Sequence, residues 1–148
     1  MIGADHRGFQ AKHEIKLRMP EIIWIDVGCN NQERCDYPEY AYKLVCLLQK
    51  EKSLKGVLLC GSGVGMSIAA NKFSGIRAAL VWNEQVAYTA AAHDNVNILV
   101  FGTDFLSLEQ IISCIRMWEN TQFLGGRYQE RLEQIEQLCC SEKQKNRY

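Results

Sequence analysis

The sequence predicts an α/β fold, a parallel sheet covered on both faces by helices. Four short runs, 22–28 (IIWIDVG), 56–61 (GVLLCG), 77–82 (RAALVW) and 97–102 (NILVFG), are almost continuously apolar. Strands buried on both faces read this way, whereas half-exposed strands alternate. Segments of helical length separate the runs, which is the pattern of strand–helix units in a parallel sheet. No linker rich in Pro, Gly or Ser and no repeat interrupts the 148 residues, so one domain over 1–148 is expected, with a C-terminal helix and tail from about residue 127.

The elements follow in order. MIG before ADHRG is a shortened first strand, which brings the expected sheet to five strands. Residues 9–19 (FQAKHEIKLRM) mix charge with apolar spacing and read as a helix. The next helix, 38–52, opens on Pro38, a residue favoured in the first turn. GMSIAANK starts a short helix and EQVAYTAAAH forms another. In LSLEQIISCIRMWEN, Ser107 is the expected cap, with Glu109 close behind. The tail RYQERLEQIEQLCCSEKQKNRY is helical at first, then polar and expected to fray.

Composition narrows the function. Lys plus Arg and Asp plus Glu both number 17, so the chain lacks the basic excess of a general nucleic-acid binder. No apolar run approaches the roughly 20 residues that span a bilayer, and MIGADHRGFQ lacks the plan of a signal peptide. A cytoplasmic protein without membrane or nucleic-acid partners is expected. The seven cysteines are odd in number and form no CxxC pair, which argues against a zinc site or a disulfide framework.

In open parallel sheets, ligands bind beyond the carboxyl ends of the strands. Polar residues gather there: Asp5 and His6 after the first strand, Asp36 and Tyr37 after the second, GSGVG after the third, and His93, Asp94 and Asn95 before the last. Gly61, Gly63 and Gly65 let backbone N–H groups approach an anion and lead into a helix N-terminus. The loop is neither a P-loop nor a good dinucleotide fingerprint, and plain strand-to-helix packing would use the same glycines. Cys60, at a strand end before that loop, is expected to have thiolate character and could act as base or nucleophile. Read locally, a packed strand cysteine is the favoured reading. His93 could as well be a helix-terminal histidine favoured by the dipole. Arg127 and Arg131, four apart after a Gly-Gly turn, can clamp a phosphate or simply face solvent. His13 lies in a charged helix and reads as surface.

Taken together, ADHRGF, IDVG, DYPEYA, LLCGSGVGMSIAANKFSGIRAAL, AAHDNVNILVFG and FLGGRYQERLEQIE resemble the B-type ribose-5-phosphate isomerases and their galactose-6-phosphate isomerase relatives, over almost the whole chain. The resemblance implies a Rossmann- or flavodoxin-like three-layer sandwich. It implies a sugar phosphate as ligand, no cofactor and no metal, and a homodimer or homotetramer with active sites between subunits. It also implies aldose–ketose isomerisation through a cis-enediolate. Cys60 then matches the base, and the backbone of Gly61, Ser62, Gly63, Val64 and Gly65 the anion hole. Ser62 would shuttle a hydroxyl proton, and His93, with Asp5 nearby, would open the sugar ring. His6, Arg127 and Arg131 match the phosphate ligands, and Tyr37 and Asn71 line the sugar.

Three departures stand out. HDN replaces the family's HND, so Asp94 sits beside the ring-opening histidine, where it could raise basicity or repel an anion. FGTD replaces LGxR, so Asp104 stands where an arginine often joins the phosphate site. The first strand and the loop before IIWIDVG are short. A six-carbon aldose phosphate as substrate, or an inactive sugar-phosphate-binding paralogue, are the alternatives.

Overall fold

The computed structural model describes residues 1–145, with side chains as far as residue 138. The elements are β1 (Ile2–Ala4), α1 (Phe9–Arg18), α2 (Tyr37–Lys50), β2 (Gly56–Cys60), α3 (Val64–Ala70), β3 (Ala78–Leu80), α4 (Glu84–Ala92), β4 (Ile98–Gly102), α5 (Leu108–Glu119) and α6 (Arg127–Lys145). Among the described residues the sheet has four strands in the order β1-β2-β4-β3, and every pairing is parallel. The last residues of the tail, expected to fray, lie outside the described residues.

Successive side chains of a strand point to opposite faces, and here the two faces build two cores. Val57, Leu59, Leu99 and Phe101 join Ile15 of α1 with residues of α4 and α5. Leu58, Cys60, Ile98 and Val100 join residues of α2 and α3. All five residues of β2 and of β4 are buried. Layers of helix, sheet and helix result, as the unbroken apolar runs require.

One expected strand is not formed. Residues 22–28 meet the sheet only through an isolated bridge between Asp26 and Ile2, so the sheet has four strands and not five. The segment does bond along β1. The Ile2 N–H donates to Ile25 O at 2.9 Å, Val27 N–H to Ile2 O at 2.9 Å, and Cys29 N–H to Ala4 O at 3.0 Å. But β1 has only three residues to offer, and the run lies at the outer edge, with Ile23 95% exposed. Ionic contacts fix it instead. Lys12 of α1, 3% exposed, donates to Asp26 Oδ1 at 2.8 Å and Cys29 O at 2.6 Å, and Lys16 reaches Asp26 Oδ2 at 2.6 Å. Burial alone would raise the Asp26 carboxyl; hydrogen bonds from Lys12, Lys16 and the Gly28 N–H outweigh it and hold it below the ordinary value.

Local signals explain the helix starts. Pro38 lies in the first turn of α2. Ser107 caps α5 in a capping box with Gln110, whose side chain returns to the Ser107 N–H at 2.9 Å. Among the described residues no helix is long and apolar enough to cross a membrane.

The connections locate the ligand crevice. From β1 the chain runs through α1 to the edge segment on one side, then through α2 to β2 on the other. The two helices cover opposite faces. The strand order therefore reverses between β1 and β2, and such a switch point opens a crevice at the carboxyl ends of its strands. Asp5 and His6 follow β1; Gly61 follows β2.

Candidate active site

Cys60 ends β2 with its side chain in the α2/α3 core, 4% exposed. The loop folds around the sulfur. The Gly63 N–H donates to Sγ at 3.2 Å, which requires Gly63 to turn through φ +77°, the left-handed region open to glycine. Burial pushes the thiol above its ordinary value; the N–H groups of Gly63, Met66 and Ser62 pull it back, and the Asp5 carboxylate adds to the rise. The net direction is up. The expected thiolate character is thus corrected for the free protein: the loop carries the donors that would hold a thiolate, but loss of water outweighs them. Ser62 is exposed, and its Oγ accepts the Val64 N–H at 3.3 Å. Val64 is 49% exposed at the start of α3.

Asp5 is 5% exposed, and its Oδ1 accepts the N–H groups of Arg7 at 2.9 Å and Gly8 at 3.1 Å. This closes the turn from β1 into α1. Backbone groups of Cys35 hold the His6 ring: Nδ1 lies 3.0 Å from Cys35 O and 3.3 Å from its N–H. The tautomer decides which bond forms, and in either state Nε2 keeps no partner among the described residues. The Tyr37 ring lies against Gly65, 2.7 Å from where a Cβ would stand. Asp5, His6, Tyr37, Cys60 and Ser62 thus share the switch-point rim.

Asp104 meets the same rim, paired with Arg7 through one carboxylate oxygen. Its N–H donates to Gly61 O at 3.0 Å, and the Arg7 guanidinium packs on Gly61. Two further candidates, Asn71 and Asp94, lie away from the thiol within one chain. Asn71 caps the end of α3, and its amide engages both backbone groups of Ala78, donating to O at 2.8 Å and accepting from N–H at 2.9 Å. It brackets β3 because a C-cap amide can imitate a neighbouring strand. Asp94 is exposed beside a cleft of about 540 Å³ whose lining includes Asn71, Arg77, Leu132 and Glu136 and does not include Cys60.

The remaining candidates form a second cluster. The Leu124 N–H donates to Ala92 O at 2.9 Å and brings the start of α6 beside the end of α4. There the Tyr128 ring stacks on His93, with centroids 4.2 Å apart and planes 4° from parallel. Tyr88 meets His93 edge-on at 6.2 Å. The guanidinium carbons of Arg127 and Arg131 lie 5.0 and 5.9 Å from the Tyr128 ring centre. Within one chain no hydrogen bond or ring contact among the described residues joins this cluster to Cys60, and His93 does not meet Asp5. The reason is positional: Asp5 is held by its own turn after β1, whereas His93 ends α4 on another part of the rim. Sequence reasoning missed Tyr128 and Arg7, although both sit inside motifs it used.

Fold and rim together define a class: a doubly wound α/β protein with a thiol and an imidazole at its switch point. The chain belongs to the Ribose/Galactose Isomerase family, which it matches over residues 1–135. It is 41% identical over 135 residues to ribose-5-phosphate isomerase B of Escherichia coli K12, covering 90% of this chain and 91% of that protein. The crystal structure of a ribose 5-phosphate isomerase from Thermotoga maritima superposes with a TM-score of 0.89 at 38% identity, covering 92% of this chain and 95% of that one. Ribose-5-phosphate isomerase B from Mycoplasma genitalium, solved with bound ribulose-5-phosphate, gives a TM-score of 0.87 at 34% identity and covers 93% of both chains.

Proposed function

We propose that the chain interconverts ribose 5-phosphate and ribulose 5-phosphate through a cis-enediolate, with Cys60 as the base. The observation that carries this is the sulfur at the switch point, wrapped by loop N–H groups that stabilise its anion. As thiolate, Cys60 takes the proton from C2 of the open-chain aldose and returns it to C1. The electron pair passes through the enediolate, whose charge the loop donors offset. Ser62 moves the hydroxyl proton. Burial raises the thiol in the free protein, so the thiolate forms by loss of its proton to solvent before C2 is attacked, and the loop N–H groups then hold the anion.

We further propose that the working site is shared by two copies in a homodimer or a pair of dimers. The thiol cluster and the His93–Tyr128–arginine cluster each hold half of the needed chemistry and do not touch within one chain. In this reading His93 of the second copy opens the sugar ring against Asp5, and its Arg127 and Arg131 join His6 at the phosphate. A charged pair of guanidiniums far from the reacting carbons supplies binding energy that positions C2.

Turnover of ribose 5-phosphate by wild type and Cys60→Ala tests the chemistry. A loss of about 10²–10⁴-fold in kcat is expected for removal of a general base; undiminished activity would overturn the thiol's role. Mixing Cys60→Ala with Arg131→Ala tests the sharing. If sites combine residues from two copies, mixed dimers contain one intact site and activity returns. If it stays at the level of the separate variants after subunit exchange, the site lies within one chain.

A further inference from the structure

The Arg7–Asp104 pair has no part in the proton transfer proposed above, yet it lies on the same rim. Arg7 comes from the turn after β1, Asp104 from the turn after β4, and the guanidinium packs on Gly61 after β2. The backbone on both sides is anchored. The Arg7 N–H donates to Asp5 Oδ1 at 2.9 Å, the Thr103 hydroxyl to Arg7 O at 3.3 Å, and the Asp104 N–H to Gly61 O at 3.0 Å. The pair is thus held against the loop while its side chains stay 54% and 38% exposed.

Its hydrogen-bonding capacity is only partly used. Nη2 of Arg7 donates to Oδ2 of Asp104. Among the described residues, Nε and Nη1 of Arg7 have no acceptor and Oδ1 of Asp104 has no donor. The rim therefore presents free donors and a free acceptor side by side. A hydroxyl is both donor and acceptor and fits such a surface. A phosphate accepts only, so it would face the lone pairs of Asp104, and the pair's charges cancel. Position agrees. Gly61 directly follows Cys60, about 3.8 Å along the chain, and their alternating directions put the thiol on the α2/α3 side of the loop and the pair on the α1 side. A sugar whose reacting carbons lie over the thiol extends its further hydroxyls across the loop.

We infer that the Arg7–Asp104 pair reads hydroxyl groups of the sugar and sets which aldose phosphate the site prefers. This rests on the isomerase reading. An exposed pair contributes little to folding, so its variants fold.

The test measures kcat/KM for ribose 5-phosphate and allose 6-phosphate, and the inhibition constant of inorganic phosphate, for wild type, Arg7→Ala and Asp104→Ala. Losing groups that bond a substrate hydroxyl changes discrimination strongly, so the ratio between the sugars is expected to shift about tenfold or more while phosphate inhibition stays within about twofold. An unchanged ratio overturns the inference, and so does phosphate inhibition weakened about tenfold, which would make the pair a phosphate ligand. If wild type turns over neither sugar, the isomerase reading has failed separately. Calorimetric binding of ribitol 5-phosphate and inorganic phosphate then decides: variants that weaken only ribitol 5-phosphate support the pair, and variants that weaken both equally or neither overturn it.

Discussion

Gly63 and Gly75 form a matched pair for testing how the thiol loop is built. Both have φ +77°. An alanine forced into the left-handed region costs roughly 1–2 kcal/mol. At Gly75 a Cβ would meet nothing within 4 Å, so Gly75→Ala is expected to lose only that backbone cost. At Gly63 the Cβ would collide with Leu80 Cδ1 and stand 3.0 Å from the Gly102 nitrogen and 3.1 Å from the Phe101 carbonyl carbon. Those are backbone atoms of buried β4, and overpacking against them adds roughly 1–3 kcal/mol. Gly63→Ala is therefore expected to lose about 2–5 kcal/mol, and Gly75→Ala about 1–2. At roughly 2–4 °C per kcal/mol for a chain of this size, melting falls by about 4–20 °C and 2–8 °C respectively. Urea titration and calorimetry of the two variants measure the difference directly. A second readout is specific to the loop: the Gly63 N–H donates to Cys60 Sγ, so displacing it raises the thiol further and slows alkylation of Cys60 by iodoacetamide, followed by mass spectrometry. Equal stability losses at the two glycines would refute the reasoning, because Leu80 and β4 would then be yielding to the added methyl.

Three further outcomes are expected. Asp26→Asn leaves the Lys12 ammonium buried without its carboxylate and should cost about 3–5 kcal/mol in urea titrations at pH 7. In wild type the depressed Asp26 carboxyl contributes stability above the ordinary carboxylate value, and this is lost as pH falls toward the folded value. Cys114 in α5 is pushed up to about 11 by burial, so the unfolded chain ionises first. The stability from its protonated thiol is whole below about pH 8.5 and is lost as pH rises from there to about 11; melting curves should decline over that range less steeply in Cys114→Val. The ring of Tyr128 stacks on His93 and its hydroxyl accepts Arg127 Nη2 at 3.0 Å; that exposed bond is weak, so Tyr128→Phe should change kcat/KM little while Tyr128→Ala lowers it up to about tenfold, the worth of one aromatic pair, with little change in melting.

Much of the sheet was legible because burial on both faces writes an unbroken apolar run, as in 56–61 and 97–102. The same signal misled at 22–28. Apolarity reports that a segment seeks cover but not how many residues its neighbour offers, and β1 offers three. That pairing is long-range and leaves no local mark. Cys60 could be found because a strand, a cysteine and a glycine loop are adjacent in sequence. Its protonation could not, because the balance of burial against three N–H donors exists only once the loop has closed. His93 and the arginines were recognisable as rim residues, but their separation from Cys60 follows from where α4 and α6 lie. Tyr128 carried a usable signal, an aromatic ring directly after Arg127 and three residues before Arg131. Asn71 drew notice as an amide beside a glycine loop, and only the fold shows that its place at the end of α3 engages it with Ala78.

The acids around the switch point illustrate how a neutral chain can present an anion-receiving site. Asp5 and Asp104 both lie near the loop, and each carboxylate alone would oppose a sugar phosphate. Asp5 is buried and spends Oδ1 on two backbone N–H groups, so its charge is partly balanced by the start of α1. It still reaches Cys60 enough to raise the thiol, so less of the sulfur is ionised at rest. Asp104 is exposed and would be the more harmful of the two, but Arg7 cancels it at the rim. In this chain the carboxylate at 104 is thus paired with the guanidinium at 7. Removing Arg7 alone leaves a carboxylate that is exposed and screened by solvent, so binding of inorganic phosphate should weaken by no more than about twofold, and removing both residues should restore it.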